Sequence, residues 1–179
     1  MTADDVLNFW FKEIDQSAWW KKDKDFDALI LDRFEFVHEK AVQGELFEWR
    51  LTPKGSLAEI IILDQFSRNM FRDTPRAFAY DGMALVLSQE AITAEFDREL
   101  SAVENSFLFM PFMHSESALI HDLAVALYTR IGIQSNLDYE LKHKAVIDRF
   151  GRYPHRNEIL GRTSTDEELS FLNEPGSSF

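Results

Sequence analysis

The segment Phe150-Gly151-Arg152-Tyr153-Pro154-His155-Arg156-Asn157, the octet, gives the clearest signal in this chain. It follows a helix-like stretch over residues 139–149, and its glycine and proline stand where a helix would end. Glycine adopts positive φ at little steric cost, while proline fixes its own φ and biases the preceding residue towards extended backbone. We therefore predict a well-defined turn that holds two arginines, a histidine and an asparagine in a small volume. Such a group of donors is typical of an anion site.

Length and composition bound the class of protein. The chain has 179 residues, the size of one ordinary domain that can bury a substantial core. Its net charge of −12 argues against a general nucleic-acid binder and against binding to an anionic membrane surface, because both need basic residues. The absence of cysteine excludes disulfides, thiolate metal ligands and thiolate nucleophiles. No apolar run approaches the roughly 20 residues of a membrane span, and the start, Met1-Thr2-Ala3-Asp4-Asp5, is unlike a signal peptide. We expect a cytoplasmic protein, either a monomer or a homodimer.

Apolar residues recur at helical spacing along the chain, and no segment shows the alternation of a β-strand. We predict one all-α domain over residues 1–179, with about seven or eight helices and a frayed tail over residues 175–179. After a first helix that ends near Lys12, helices are expected over residues 23–43, 56–71, 77–100, 111–131, 139–149 and 165–172. Ser164 and Glu167 fit a capping box for the last helix. The helix lengths are compatible with an array of helical hairpins.

Residues 63–69 of the third predicted helix place charge on a face that is otherwise apolar. At 100° per residue, Asp64 and Arg68 share that face, so both side chains should point inward. One interpretation is a buried ion pair that fixes helix packing; the other is that Arg68 points into a pocket and Asp64 orients it. Gln65 and Asn69 flank this face and either complete the pocket or face solvent.

The predicted fifth helix begins at Pro111, which places His114 and Glu116 in its first turn, where backbone N–H groups have no helical partner. These two residues form either an acid/base pair or, with His121 or His155, a set of metal ligands. Ligands on one helix usually lie three or four residues apart, so the spacing argues against metal, and we predict no native metal site and no cofactor. The remaining interpretation of His114 is a helix cap or a hydrogen-bonded core histidine.

Within the octet, Arg152 and Arg156 can make bidentate contacts to a carboxylate or phosphate. His155 can exchange a proton near neutral pH, and Asn157 adds a donor in the first turn of the following helix. Alternatively, the arginines neutralise acidic residues or cap helix ends. If Arg68 and the octet converge, their cavity should be locally positive inside an acidic protein.

Six segments, in order along nearly the whole chain, resemble the DUF924 family of bacterial and some eukaryotic proteins. They are Val6-Leu7-Asn8-Phe9-Trp10-Phe11, Leu63-Asp64-Gln65-Phe66-Ser67-Arg68-Asn69, Pro111-Phe112-Met113-His114-Ser115-Glu116, the octet, Leu160-Gly161-Arg162-Thr163-Ser164 and Glu168-Leu169-Ser170-Phe171-Leu172. The resemblance implies an all-helical, tetratricopeptide-like fold and names no reaction. The family often has proline at the position of Ser67 and glutamine at that of His121, and the second difference argues against a metal role for His121.

Two functions from different classes fit these residues. The first is a pocket for a small anionic molecule, bound by Arg68, Arg152 and Arg156, with His114, Glu116 and His155 as candidate proton-transfer groups. The second is an interaction module of the tetratricopeptide-like kind that clamps the carboxylate of a peptide C-terminus. Both require the polar residues of the three motif segments to converge on one concavity, which we therefore predict. A third interpretation is that this polar signature only locks helix packing.

Overall fold

The computed structural model describes residues 1–177, and over that range the chain forms helices and turns without any β-strand. The predicted all-α fold is confirmed. A π turn, Ile62–Phe66, divides the predicted third helix into α3 and α4 without breaking it. The described residues therefore contain slightly more α-helical segments than predicted. The helices are α1 (Ala3–Asn8), α2 (Lys24–Val42), α3 (Pro53–Ile61), α4 (Ser67–Met70), α5 (Asp81–Thr93), α6 (Ala102–Leu108), α7 (Met110–Met113), α8 (Ala118–Ile131), α9 (Gln134–Phe150) and α10 (Asp166–Leu172).

Helix α3 lies at the centre of the molecule. Its residues from Leu57 onwards and the start of the π turn, seven in succession to Leu63, are fully buried, because α1, α5 and α6 all pack against this helix. The run includes the carboxylate of Glu59, which accepts two hydrogen bonds of 2.7 and 2.6 Å from Arg50. A buried charge needs such a partner, so this pair explains how an otherwise apolar helix tolerates an acidic residue.

Local signals set most helix ends. Asp23 caps α2 by accepting hydrogen bonds from the backbone N–H groups of Asp25 and Phe26. Gly151 ends α9 with φ of +68°, which is the conformation that favours glycine. The capping box of α10 is one residue later than predicted: Thr165 pairs with Glu168, whereas Ser164 accepts a hydrogen bond from Asn157.

Two predicted helices are interrupted. The fourth helix extends only from Asp81 to Thr93, because 3-10 turns precede and follow it and Glu95 takes a φ of +61°. The predicted fifth helix is split into α7 and α8 by an irregular stretch over residues 114–117, referred to below as the 114–117 turn. The prediction that His114 lies in a first helical turn is therefore wrong: its backbone N–H donates to Met110 O at the end of α7.

The C-terminal part packs as a hairpin of α8 and α9, followed by the octet and α10. The octet contains a short 3-10 turn, Pro154–Arg156, that contacts α10. Of the predicted frayed tail, Ser177 is buried and its hydroxyl donates to Leu172 O, while residues 178 and 179 lie outside the described residues. No helix within residues 1–177 is long and apolar enough to cross a bilayer.

Candidate functional site

An open cleft of about 300 Å³ lies where four pieces of chain meet: the 3-10 turn Pro75–Phe78, the start of α5, the end of α7 with the 114–117 turn, and the octet. Most of its wall is apolar. The polar side chains of its lining are Asp81, His114, Ser115, Glu116 and Arg156. The structure thus brings two of the three predicted motif segments, residues 111–116 and the octet, to a single concavity, together with residues 75–85. Asp64 and Arg68 of the third predicted motif lie outside the lining and reach it only through their contacts with His114 and Asp81.

At the base of the cleft, His114 Nδ1 lies 2.7 Å from Asp64 Oδ1. Asp64 is buried; burial raises its pKa, but the charge of Arg68 and the contact with His114 outweigh that effect and hold the pKa below its usual range. An ionised carboxylate only accepts hydrogen bonds, so His114 Nδ1 carries the hydrogen. Burial and the nearby Arg68 lower the pKa of His114, which keeps the ring neutral near pH 7. The remaining ring nitrogen, Nε2, is then an acceptor.

A chain of charged groups continues from this pair. Arg68 contacts Asp64 at 3.2 Å and donates two hydrogen bonds of 2.8 and 2.9 Å to Asp81. The predicted ion pair between Asp64 and Arg68 is therefore present. Asp81, from the first turn of α5, faces both Arg68 and Arg156, so it links α4 to the octet.

Arg156 is the least compensated cation of the cleft. Its side chain is only 7% exposed, yet its nearest carboxylate contact, to Asp81, is 3.4 Å long. Its other hydrogen bond, of 3.1 Å, goes to the carbonyl of His114, and its Nε has no hydrogen-bond partner within residues 1–177. Phe78 and Tyr153 lie 4.7 and 4.5 Å from the guanidinium carbon. Burial and the charge of Arg68 lower the pKa of Arg156.

Glu116 holds the 114–117 turn against the octet. Its carboxylate accepts two hydrogen bonds of 2.6 and 2.9 Å from Arg162 and one of 2.7 Å from the backbone N–H of Tyr153. Burial raises the pKa of Glu116, but these hydrogen bonds lower it more, so the group stays ionised. These contacts hold Glu116 in the cleft wall and pair it with Arg162, whereas His114 pairs with Asp64.

A buried pair supports the same turn from the other side. His121 Nδ1 lies 2.7 Å from Glu140, and its Nε2 lies 2.9 Å from the carbonyl of Ser115. Both side chains are fully buried, and burial raises the pKa of Glu140. His121 is thus a structural histidine behind the cleft. Within residues 1–177, no three His, Asp or Glu side chains are gathered as metal ligands.

Several predicted site residues lie elsewhere. Arg152 donates to Glu168 through Nε and Nη2, at 2.6 and 2.8 Å, and so binds α10. Asn157 contacts Ser164 and Arg162, which makes it part of the frame around Glu116. Neither Arg152 nor Asn157 is among the residues that line the cleft.

Three further predicted residues also lie outside the lining. Asn69 donates to Asp27 on α2, away from the cleft. Gln65 is buried and donates to Asp64 at 2.6 Å, so it supports the His114 pair from within the core. The ring of His155 packs 5.5 Å from that of Tyr153, and burial and Arg156 lower its pKa to about 4.

The cluster is charge-balanced, not positive as predicted. Arg68, Arg156 and Arg162 are matched by three carboxylates, because Asp81 joins Asp64 and Glu116. Asp81 and Arg162 belong to the site although neither is among the predicted site residues; Arg162 appears only within the family-like segment over residues 160–164. The sequence offers a signal for both: Asp81 is acidic at a helix start, and Arg162 directly follows Gly161, which ends the turn after the octet.

Comparison with known proteins shows where the chain belongs. A family model described as "Bacterial protein of unknown function (DUF924)" matches residues 6–176. The chain is also similar to a solved structure, the protein of unknown function ATU0120 from Agrobacterium tumefaciens, with 37% identity, a TM-score of 0.90 and 96% of each chain covered. No curated protein matches the chain. Taken with the all-helical fold and the shared motifs, these matches show that the chain belongs to the DUF924 family.

Proposed function

We propose that the cleft binds a small molecule with one carboxylate or phosphate group, and that His114 accepts a proton there. The observation that supports this most directly is the state of Arg156, a buried cation that lines the cleft and whose one carboxylate contact within residues 1–177 is 3.4 Å long. Desolvating a cation is costly unless a close anion compensates it, so an incoming anion gains a favourable partner at this position.

The second support is the pairing of His114 with Asp64. An ionised Asp64 fixes the ring so that Nδ1 donates, which leaves Nε2 as the acceptor on a residue that lines the cleft. A neutral histidine held in one tautomer is the arrangement that general-base chemistry needs. Arg156 donates to the carbonyl of His114, so the anion site and the base are adjacent.

The dimensions favour a small molecule over an extended peptide. The volume of about 300 Å³ falls at the lower end of the range for small-molecule sites, roughly 300 to 1,000 Å³. A peptide C-terminus presents the same carboxylate and is the competing ligand. Inorganic phosphate, butyrate and a five-residue aliphatic peptide with a free C-terminus therefore form the test panel.

The proposal is tested by calorimetric titration of this panel into wild type, Arg156→Gln and Arg152→Gln. The two variants lose the same charge from the same octet, but only Arg156 lines the cleft. We expect Arg156→Gln to weaken anion binding at least about tenfold, since a charge-assisted hydrogen bond is lost, and Arg152→Gln to leave it unchanged. Equal effects of the two substitutions, or no binding by wild type, would overturn the anion site. If only the peptide binds, the interaction module replaces the small-molecule site.

The role of His114 has its own readout. Nitrogen-15 spectra of the imidazole should show hydrogen on Nδ1, and ligand binding should shift the Nε2 signal. In His114→Gln, the anion should still bind through Arg156 because the guanidinium is unchanged. Hydrogen on Nε2 in the wild-type ring would contradict the assignment of His114 as a base.

We also propose that the protein acts in the cytoplasm, as a monomer or a symmetric homodimer. The acidic composition and the lack of cysteine fit this setting. Sedimentation equilibrium of the full chain would identify the oligomeric state, and a tetramer or larger assembly would contradict it.

A further inference from the structure

A second hollow, of about 370 Å³, lies along the same helices as the cleft. Helix α5 contributes Asp81, Gly82 and Leu85 to the cleft, and Gln89, Ile92 and Thr93 to the hollow. These positions are spaced by one, three or four residues, so they form one stripe on one side of α5. The cleft and the hollow therefore lie end to end along a single helix face.

The opposite wall and the floor repeat this arrangement. The 114–117 turn, which immediately precedes α8, borders the cleft, and Leu123, Leu127 and Arg130 of α8 border the hollow. On α7, Pro111 faces the cleft and its neighbour Phe112 faces the hollow. Helices α5 and α8 thus both lead away from Arg156, with an apolar groove between them.

The groove leaves apolar side chains uncovered. Leu123 lines the hollow and is 48% exposed. Leu119 is 69% exposed and lies one turn earlier on the same face of α8, four residues from Leu123. From Asp81 to Ile92, the groove extends about 16 Å along α5 at 1.5 Å per residue. An apolar groove of this length with a poorly compensated arginine at one end is complementary to an amphiphile with a terminal carboxylate.

The polar groups of the hollow favour an aliphatic chain over a peptide. The Thr93 hydroxyl donates to Gln89 O of its own helix, and Arg130 donates to Asp97 at 2.6 Å, so the Gln89 amide is the remaining polar side chain in the lining of the hollow. An extended peptide of about five residues would span the same length, at roughly 3.4 Å per residue. Its backbone N–H and C=O groups would find few partners in such a lining, which is costly, whereas a hydrocarbon chain has none to satisfy.

We infer that the ligand of the cleft is an unbranched aliphatic carboxylate, with its carboxylate at Arg156 and its chain in the groove between α5 and α8. The inference rests on the proposed function for the position of the carboxylate and goes beyond it in naming the substrate class. The charge balance around the cleft supports a carboxylate over a phosphate, because the three arginines and three carboxylates that line the cleft or lie behind its lining already offset one another. A monoanion disturbs that balance less than a dianion does.

The test is a calorimetric series of butyrate, hexanoate, octanoate and decanoate, each below its micelle concentration, on the full chain. If the chain enters the groove, each added methylene tightens binding by up to about fourfold. Leu123→Glu should reduce octanoate binding at least about tenfold and leave butyrate binding unchanged, since only the longer chain reaches the hollow. The control is Leu141→Glu on α9, a leucine of 47% exposure outside the groove lining, and it should bind octanoate like wild type.

Each failure has a separate signature. Equal affinity for butyrate and octanoate, or octanoate binding that Leu123→Glu does not change, would overturn the groove while the anion cleft stands. Octanoate binding that survives Arg156→Gln undiminished would overturn both the groove's ligand and the proposed function. Tighter binding of an aliphatic pentapeptide than of octanoate would replace the hydrocarbon with a peptide. Leu119→Glu, at a more exposed leucine, repeats the groove test if Leu123→Glu unfolds.

Discussion

The N-terminal core and the C-terminal segment over residues 150–172 are held together by different forces. In the N-terminal core, Phe9, Phe34 and Phe66 are fully buried, with ring centroids 4.7 to 6.1 Å apart. Within residues 1–177, the C-terminal apolar cluster has three buried members, Val146, Ile147 and Tyr153. Bidentate arginine–carboxylate pairs position this segment instead. Apolar packing therefore supplies stability in one region, and directed polar bonds fix geometry in the other.

The largest effect should come from the N-terminal core. Phe34→Ala removes a ring in contact with both Phe9 and Phe66, so we expect the free energy of unfolding to fall by about 3–5 kcal/mol. Urea denaturation followed by far-UV circular dichroism measures this loss. Phe36→Ala on the same helix is the matched control, because Phe36 is 70% exposed and should change stability by about 0.5 kcal/mol or less. Similar losses in both variants would contradict the assignment of the core.

Acid should act on both regions through buried histidines. In the N-terminal half, burial and then Arg76 lower the pKa of His38 from 6.5 to about 4. In the C-terminal half, burial lowers the pKa of His143 to about 3 and that of His155 to about 4. The unfolded chain then binds more protons than the folded one, so stability is intact above about pH 6.5 and falls as the pH drops towards 4.

The contribution of His38 can be separated from the rest. At about 1.4 kcal/mol per pKa unit, His38 accounts for up to about 3 kcal/mol of the acid loss. Urea midpoints for wild type and His38→Gln between pH 8 and pH 4 measure the difference in slope. We expect a shallower slope in the variant and a residual slope from the C-terminal histidines. A flat wild-type profile over this range would contradict the expected burial of neutral histidines.

The hydrogen bonds that hold Glu116 and the 114–117 turn in place should be weakened by Arg162→Gln. This change removes two hydrogen bonds to Glu116 and leaves a half-buried carboxylate poorly compensated, so we expect a loss of about 1.5–3 kcal/mol. The His114 imidazole resonances should also shift, because Glu116 no longer holds the 114–117 turn. Arg149→Gln removes the more exposed pair with Glu167 and should cost at most about 1 kcal/mol without moving those resonances. Equal losses of stability in Arg162→Gln and Arg149→Gln would show that the contacts of Glu116 have no special role.

The smallest effect is expected at the surface of the N-terminal region. Arg33 pairs with Glu13 through two hydrogen bonds, but the two side chains are 36% and 47% exposed. A double-mutant cycle with Arg33→Gln and Glu13→Gln should give a small coupling that decreases with added salt, because solvent screens an exposed pair. A coupling as large as that between Arg162 and Glu116 would contradict the claim that arginine–carboxylate pairs matter more in the C-terminal segment than at the N-terminal surface.

Local sequence signals predict the helices well where the physics is local. The apolar spacing of α2 and the stop at Gly151, which ends α9, both act within a few residues, and the structure confirms them. The interruption between α7 and α8 has no such local signal. It is stabilised by His121 and Arg162, which reach the 114–117 turn from other elements, so it depends on tertiary contacts that spacing does not reveal.

The candidate site also depends on tertiary contacts that the sequence pattern does not reveal. Arg152 and Arg156 are equivalent donors in the octet sequence, yet one binds α10 and the other lines the cleft. They would share a face only in a continuous helix, and the extended backbone of Tyr153 turns them apart. Similarly, the carboxylate that orients His114 is Asp64, fifty positions away, and not the neighbouring Glu116. Residue type indicated the chemistry here, whereas partner choice followed from the fold.

The π turn at Ile62–Phe66 has a consequence for chain length. A π turn closes its hydrogen bond over five residues instead of four. It therefore accommodates one additional residue between two helical stretches whose packing is unchanged. Asp64 lies inside this added loop of helix. A protein with one residue fewer at this point would form an unbroken α-helix, with α3 and α4 still packed, but without a carboxylate placed against His114. Single-residue gaps at this position in an alignment should therefore mark relatives that keep the fold and lack the site.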